Sequence, residues 1–190
     1  MNSELENAIN LVFQKTGRNV ACFQMLESLY KRITALSQIS SPLSEFQKAA
    51  QKQIDSVNKK SLGQVASLFL ENVISGDSDA FNDPWPDSLK EPLIKFECKI
   101  SGEDVEKWNK RMSGLIDDRN KMIHHFDQVC DLTSLESCKK AEGYLDSLHK
   151  SLIPEIKNME SALKAHQASL QVMALFCFAS VGIGQLPKIG

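Results

Sequence analysis

The sequence predicts an all-α domain, and three observations carry that prediction. Apolar residues recur at helical spacing along most of the 190 residues. The chain is 42% hydrophobic and 24% charged, a balance that supplies a core and excludes global disorder. Only one stretch, Leu93 to Ile100, changes to a two-residue alternation.

In chain order, Leu5, Ile9, Val12 and Phe13 predict a first helix ending near Gly17. Val20, Phe23, Leu26, Tyr30, Ile33 and Leu36 predict a second. The run from Ser37 to Ser44, with adjacent serines and Pro42, reads as a loop. Phe46, Ala49, Ala50, Gln53, Ile54 and Val57 line one side of a more polar helix. Ser61 is placed to cap the next one, through Val65, Leu68, Phe69 and Val73, which Gly76 closes. Residues Gly76 to Ser88 are rich in Asp and Pro and read as a surface loop.

The Leu93 to Ile100 segment alternates Ile94, Phe96, Cys98 and Ile100 with charged residues, the pattern of a half-buried strand or hairpin arm. No second strand is evident, which leaves pairing with the same segment of another copy, or a helix. Ser101 with Asp104 resembles a capping box opening a helix to about Phe126. Thr133 or Ser134 then caps a long helix through Leu148, Ile156 and Leu163, kinked at Pro154. The expected organisation is a single helical domain over residues 1–168 and an apolar terminal segment, 169–190, serving packing or an interface.

The formal net charge of −2 argues against a protein that coats nucleic acid non-specifically, yet leaves room for a small basic pocket. It implies weak unspecific affinity for RNA. Five scattered cysteines without a Cys-x-x-Cys pair suit a reducing compartment, and with an acidic first segment they point to a cytoplasmic protein. The longest apolar stretch, Val172 to Ile183, falls short of the ~20 residues that span a bilayer, so no membrane association is expected.

The least ordinary feature lies around Arg119. On a wheel at ~100° per residue, Leu115, Ile116, Met122, Ile123 and Phe126 share a side, and Arg119 falls amid them. A guanidinium on an apolar face is costly unless it meets a carboxylate, a carbonyl, a phosphate or an interface, because it cannot discharge itself. Asn120 and His124 stack four apart at the edge of that face, with Asp117 a turn earlier. An imidazole near its ordinary pKa of ~6.5 can transfer protons at neutral pH. An arginine can hold a phosphate and stabilise charge developing on it. Together they make a workable set of groups for metal-independent cleavage of RNA through its own 2′-hydroxyl, which wheel geometry alone does not establish. They are equally compatible with a structural clamp.

The string Arg119-Asn120-Lys121-Met122-Ile123-His124, followed by His125-Phe126, resembles the Arg-x(4–6)-His motif of the HEPN superfamily. The resemblance implies a HEPN-like helical bundle and a homodimer in which two motif helices meet. It implies a metal-independent endoribonuclease in a toxin–antitoxin or phage-defence setting, held by a cognate antitoxin or regulatory protein. Relatives without cleavage act as interaction or RNA-binding modules. Carried over, Arg119 binds and polarises the scissile phosphate, His124 acts as general acid or base, and Asn120 orients the motif. Asp117, His125 and Lys121 are weaker candidates for substrate contacts.

Other chemistries fit less well. A zinc site from His124, His125, Cys130 and Cys138 matches no standard spacing, and adjacent helical histidines diverge by ~100°. A Cys130 nucleophile lacks an orienting third group, and Gly182-Ile183-Gly184 lacks the setting of a phosphate loop. No cofactor is expected. Trp85 and Trp108 either stack on bases or pack, with packing preferred. Lys107, Lys110 and Arg111 either steer RNA to the motif or form a solvated face, the second being preferred.

Overall fold

The computed structural model describes residues 3–74, 93–97 and 104–181. The fold is all-α. Its helices are α1 (Ser3–Ser37), α2 (Phe46–Asn58), α3 (Leu62–Phe69), α4 (Val105–His124), α5 (Phe126–Val129) and α6 (Leu135–Val181). A π-helical turn, Leu70–Ile74, extends α3, and two short strands, β1 (Gln38–Pro42) and β2 (Leu93–Glu97), pair antiparallel.

The two helices expected before residue 37 are one continuous helix. Ala8, Val12, Asn19, Phe23, Leu26, Tyr30 and Ile33 are all buried at steps of three, four or, across Gly17, seven residues, which keeps them on one face of a single helix. Gly17 lies off this stripe, where an added side chain would meet nothing within 4 Å. A glycine weakens a helix by only ~1 kcal/mol, which tertiary burial on both sides outweighs.

The long helix α6 carries the matching stripe: Cys138, Ala141, Leu145, Leu148, Leu152, Ile156, Met159 and Leu163. It runs parallel to α1, as the sequence of cross-links shows. Lys139 pairs with Glu4 at 3.0 Å, Lys15 with Glu142 and Asp146 at 3.2 and 2.8 Å, and Arg18 with Asp146 at 3.0 Å. The Nδ2 of buried Asn19 donates to the Leu145 carbonyl at 2.8 Å, so the one amide in the α1 stripe is partnered by α6 backbone. Ser134 opens α6, its Oγ accepting from Ser137 N at 3.3 Å. The helix continues past Pro154 and past Leu163, beyond the end expected from the sequence.

Helix α4 runs antiparallel to α1 and α6, since Tyr30 meets Met112 while Glu27 lies 3.9 Å from Arg119, and Glu155 meets Arg111 while Tyr144 meets Asp118. Where α1, α3 and α4 converge, Tyr30 lies edge-on to Phe69 with centroids 4.7 Å apart, and Phe69 stacks on Trp108 at 5.8 Å. Trp108 is therefore a core residue. Helix α3 is opened by Ser61, whose N–H donates to Gln64 Oε1 at 2.9 Å. Helix α4 is opened by Asp104, whose Oδ1 accepts from Glu106 N and Lys107 N at 3.0 and 3.1 Å. The Asp104 carboxyl is held below its ordinary range by those Lys107 contacts.

The expected loop at residues 37–44 contains β1, and this supplies the partner that β2 lacked. Ile39 lies opposite Phe96 and Ser41 opposite Ile94. Ile39 and Ser41 are buried while Ser40 between them is exposed. Its serines and proline mask the strand locally, and a segment far along the chain stabilises it. Residues 98–100 of the expected strand, the Ser101 cap, the loop at 76–88 with Trp85, and the end of the terminal segment lie outside the described residues. No helix among the described residues is long and apolar enough to cross a membrane.

Near the far end of the α6 stripe, His166 is 1% exposed, and burial holds its imidazole below the ordinary 6.5. A histidine kept neutral in the fold binds its proton more readily when the chain unfolds. Its contribution to stability is thus intact above pH 6.5 and is lost as pH falls through the depressed folded value. In urea titrations the unfolding midpoint is expected to drop on acidification below 6.5, and less steeply in His166→Leu. An identical pH profile in the two proteins would remove His166 from the acid response.

Candidate active site

Arg119 occupies a core register. Trp108, Met112, Leu115 and Met122 are the buried residues of α4, and Arg119 completes their spacing of three and four. Its side chain nevertheless retains 25% of its exposure. It reaches the border of α1, where it faces a cleft of about 420 Å³ lined by Gln24, Glu27, Ser28, Lys31, Arg32 and Asn58.

The charges around this cleft are unequal. Glu27 is held by Lys31 at 2.7 Å, one helical turn away, and stands 3.9 Å from Arg119 Nη2. The second distance is too long for a hydrogen bond, so Arg119 is attracted to Glu27 without being clamped by it. Arg119 Nη1 donates to Asn120 Oδ1 at 3.3 Å, a local contact that sets the direction of the guanidinium. Arg32 adds another cation to the lining. The arrangement suits an anion that approaches from solvent.

The remaining motif residues lie elsewhere on α4. His124 is its last residue, exposed, and does not line the Arg119 cleft. Five residues at ~100° each place it about 140° around the helix from Arg119. Asp117 is exposed and seven residues from His124, hence on nearly the same face, with Asn120 between that face and Arg119. Lys121 is exposed, and its carbonyl accepts the N–H of His125 at 3.0 Å. His125 leaves the helical conformation at φ −135° and ψ 43°, ending α4 and opening the single turn of α5. Phe126 then stacks on Phe13 of α1, rings 6.3 Å apart, and Phe13 is itself 52% exposed. One chain thus presents Arg119 and His124 in different directions.

The basic residues upstream take separate roles. Lys107 pairs with Asp104 at 3.2 Å on the surface, and Lys110 is exposed. Arg111 reaches inward, its Nε donating to Glu155 Oε2 at 2.8 Å. Glu155 is 2% exposed and also accepts from Tyr30 Oη at 2.6 Å. Burial, and then the Glu155 carboxylate, push the Tyr30 phenol well above its ordinary value, so it remains a donor. This tie between α1, α4 and α6 was legible in part: Glu155 sits in the α6 stripe between Leu152 and Met159. A second tie joins Tyr144 Oη to Asp118 Oδ1 at 2.8 Å, fastening the motif helix to α6.

Cys130 and Cys138 are buried with sulfurs 3.8 Å apart. Burial, and then Cys138, raise the Cys130 thiol to about 11, so neither geometry nor acidity makes it a ready nucleophile. Among the described residues no group of three or more His, Cys, Asp or Glu is placed to hold a metal ion. Compared with known proteins, the chain matches no family model, no curated protein and no solved structure.

Proposed function

We propose that this protein is a metal-independent endoribonuclease of HEPN type that works as a homodimer. The observation that supports the reading is Arg119: a guanidinium in a core register, open to a cationic cleft, and 3.9 Å from Glu27, the nearest carboxylate among the described residues. A phosphodiester satisfies that cation, and the arginine stabilises the charge of the pentacoordinate phosphate as the 2′-oxygen attacks. His124 supplies proton transfer. Because it faces away from Arg119 within one chain, the proposal requires the second protomer to bring its own His124 to the Arg119 cleft. The exposed Ile123 and Phe13 beside the motif end favour such a contact, as apolar surface that a partner would cover. A cytoplasmic toxin or anti-phage nuclease, restrained by a cognate protein, is the setting proposed.

A second reading is a non-catalytic helical module that binds RNA or a partner protein. The divergence of Arg119 and His124 around α4 favours it. Incubating purified protein with RNA in EDTA separates the two. Cleavage leaving cyclic-phosphate ends is expected, and a stable dimer that leaves RNA intact would establish the binding module instead.

A further inference from the structure

The outer face of α2 carries a groove of about 1080 Å³ that no motif in the sequence announced. Lys48, Lys52, Lys59 and Lys60 line it, together with the amides of Gln47 and Gln64. The lining includes a single acid, Asp55, which accepts from Gln51 Nε2 at 2.9 Å. The groove is therefore net +3 in a chain whose net charge is −2. Lys48 and Lys52 are one helical turn apart, and Lys59 follows seven residues later, so the cations repeat along one face. Among the described residues none of the four forms an ion pair.

The groove and the Arg119 cleft are neighbours along the chain, at the end of α2. Asn58 lines that cleft, and its carbonyl accepts from Lys31 Nζ at 3.1 Å. The next residue, Lys59, lines the groove. Lys48, Lys52 and Lys59 thus follow α2 up to Asn58, the residue that borders the cleft holding Lys31, Arg32 and Arg119.

We infer that Lys48, Lys52, Lys59 and Lys60 form a track for the phosphates of single-stranded RNA, leading into the Arg119 cleft. The inference rests on the RNA reading of that cleft. Lysines spaced along a helix read a repeating charge without reading sequence, and the glutamine amides add hydrogen bonds to sugar or base edges. A lipid surface is a poorer match, because amphipathic membrane helices set large apolar side chains beside their cations. Here the lining is Lys, Gln, Ser and Asp, and α2 turns Val57 inward. The cleft at the end of the track is at the small end of ligand-sized cavities, which admits unpaired nucleotides.

The test uses fluorescence anisotropy with labelled single-stranded RNA of mixed sequence, in EDTA, on the full chain carrying His124→Ala to prevent cleavage. Adding Lys52→Gln, Lys59→Gln and Lys60→Gln is expected to weaken binding at least tenfold at low salt. The slope of log K against log salt should fall by about 2, at ~0.7 for each phosphate that a lysine no longer neutralises. Unchanged affinity and slope, with melting curves unchanged, would overturn the track even if the native chain cleaves RNA. Weakened binding with no cleavage by the native chain would uphold the track and remove the ribonuclease. Lysine-dependent binding to phosphatidylserine vesicles without RNA binding would overturn it in favour of a membrane surface.

Discussion

Arg119→Ala and His124→Ala are each expected to lower RNA cleavage by ~10²–10³-fold, the usual cost of removing a charge-stabilising or proton-transferring group. Co-expressed and purified as a mixture, the two inactive variants should recover about a quarter of native activity. Half of the dimers are then mixed, and a two-fold interface leaves each of those with one intact pairing of Arg119 and His124. The recovery follows from the placement of His124 about 140° around α4 from Arg119. Both variants should fold normally, since His124 is exposed and Arg119 makes no strong ion pair. No recovery in the mixture, with a native chain that cleaves, would place the reacting pair within one protomer. Melting temperatures matched to the native chain keep that result free of folding effects.

The largest effect on stability is expected at Glu155. Its carboxylate accepts from Tyr30 and Arg111 while 2% exposed. Glu155→Ala leaves the buried Tyr30 hydroxyl without this acceptor and opens space beneath α1. A cost of ~3 kcal/mol follows from hydrogen bonds to a buried charge. Arg111 contributes less, because its side chain is 39% exposed and water replaces its partner. For a chain of this size the melting temperature should fall by roughly 6–12 °C. Glu155→Met, which fills the volume and demands no hydrogen bond, should cost less than Glu155→Ala. Tyr30→Phe should cost ~1.5 kcal/mol alone and little when added to Glu155→Met, because the interaction is then already gone. Equal stability of Glu155→Ala and the native chain would show that this tie does not hold the three helices together.

Much of the fold was written locally. The α1 and α6 stripes, the polar face of α2, the Ser61 cap and the strand-like alternation at β2 are all readable because each repeats within a few residues. The position of Arg119 amid apolar neighbours was readable for the same reason, and the structure places it in that register. Sequence periodicity also carried a false signal: Gly17 looked like a helix end. It is not one, because the stripe continues past it on the opposite side.

What local pattern left open was decided by contacts between distant segments. The β1 strand exists because residues 93–97 lie beside residues 38–42, and neither segment specifies the other by composition. Arg111 reads as a solvated cation until Glu155 is found 2.8 Å away. Glu27, Lys31, Arg32 and Asn58 come to line one cleft with Arg119 only once α2 is packed on α1 and α1 against α4. By itself the sequence determined the all-α class, the stripes that pack it and the charged residue set into one of them. Which groups face that residue, and that His124 turns away from it, was decided only by tertiary packing. A helix fixes angles along its own axis, whereas distances between helices depend on the whole core closing around them.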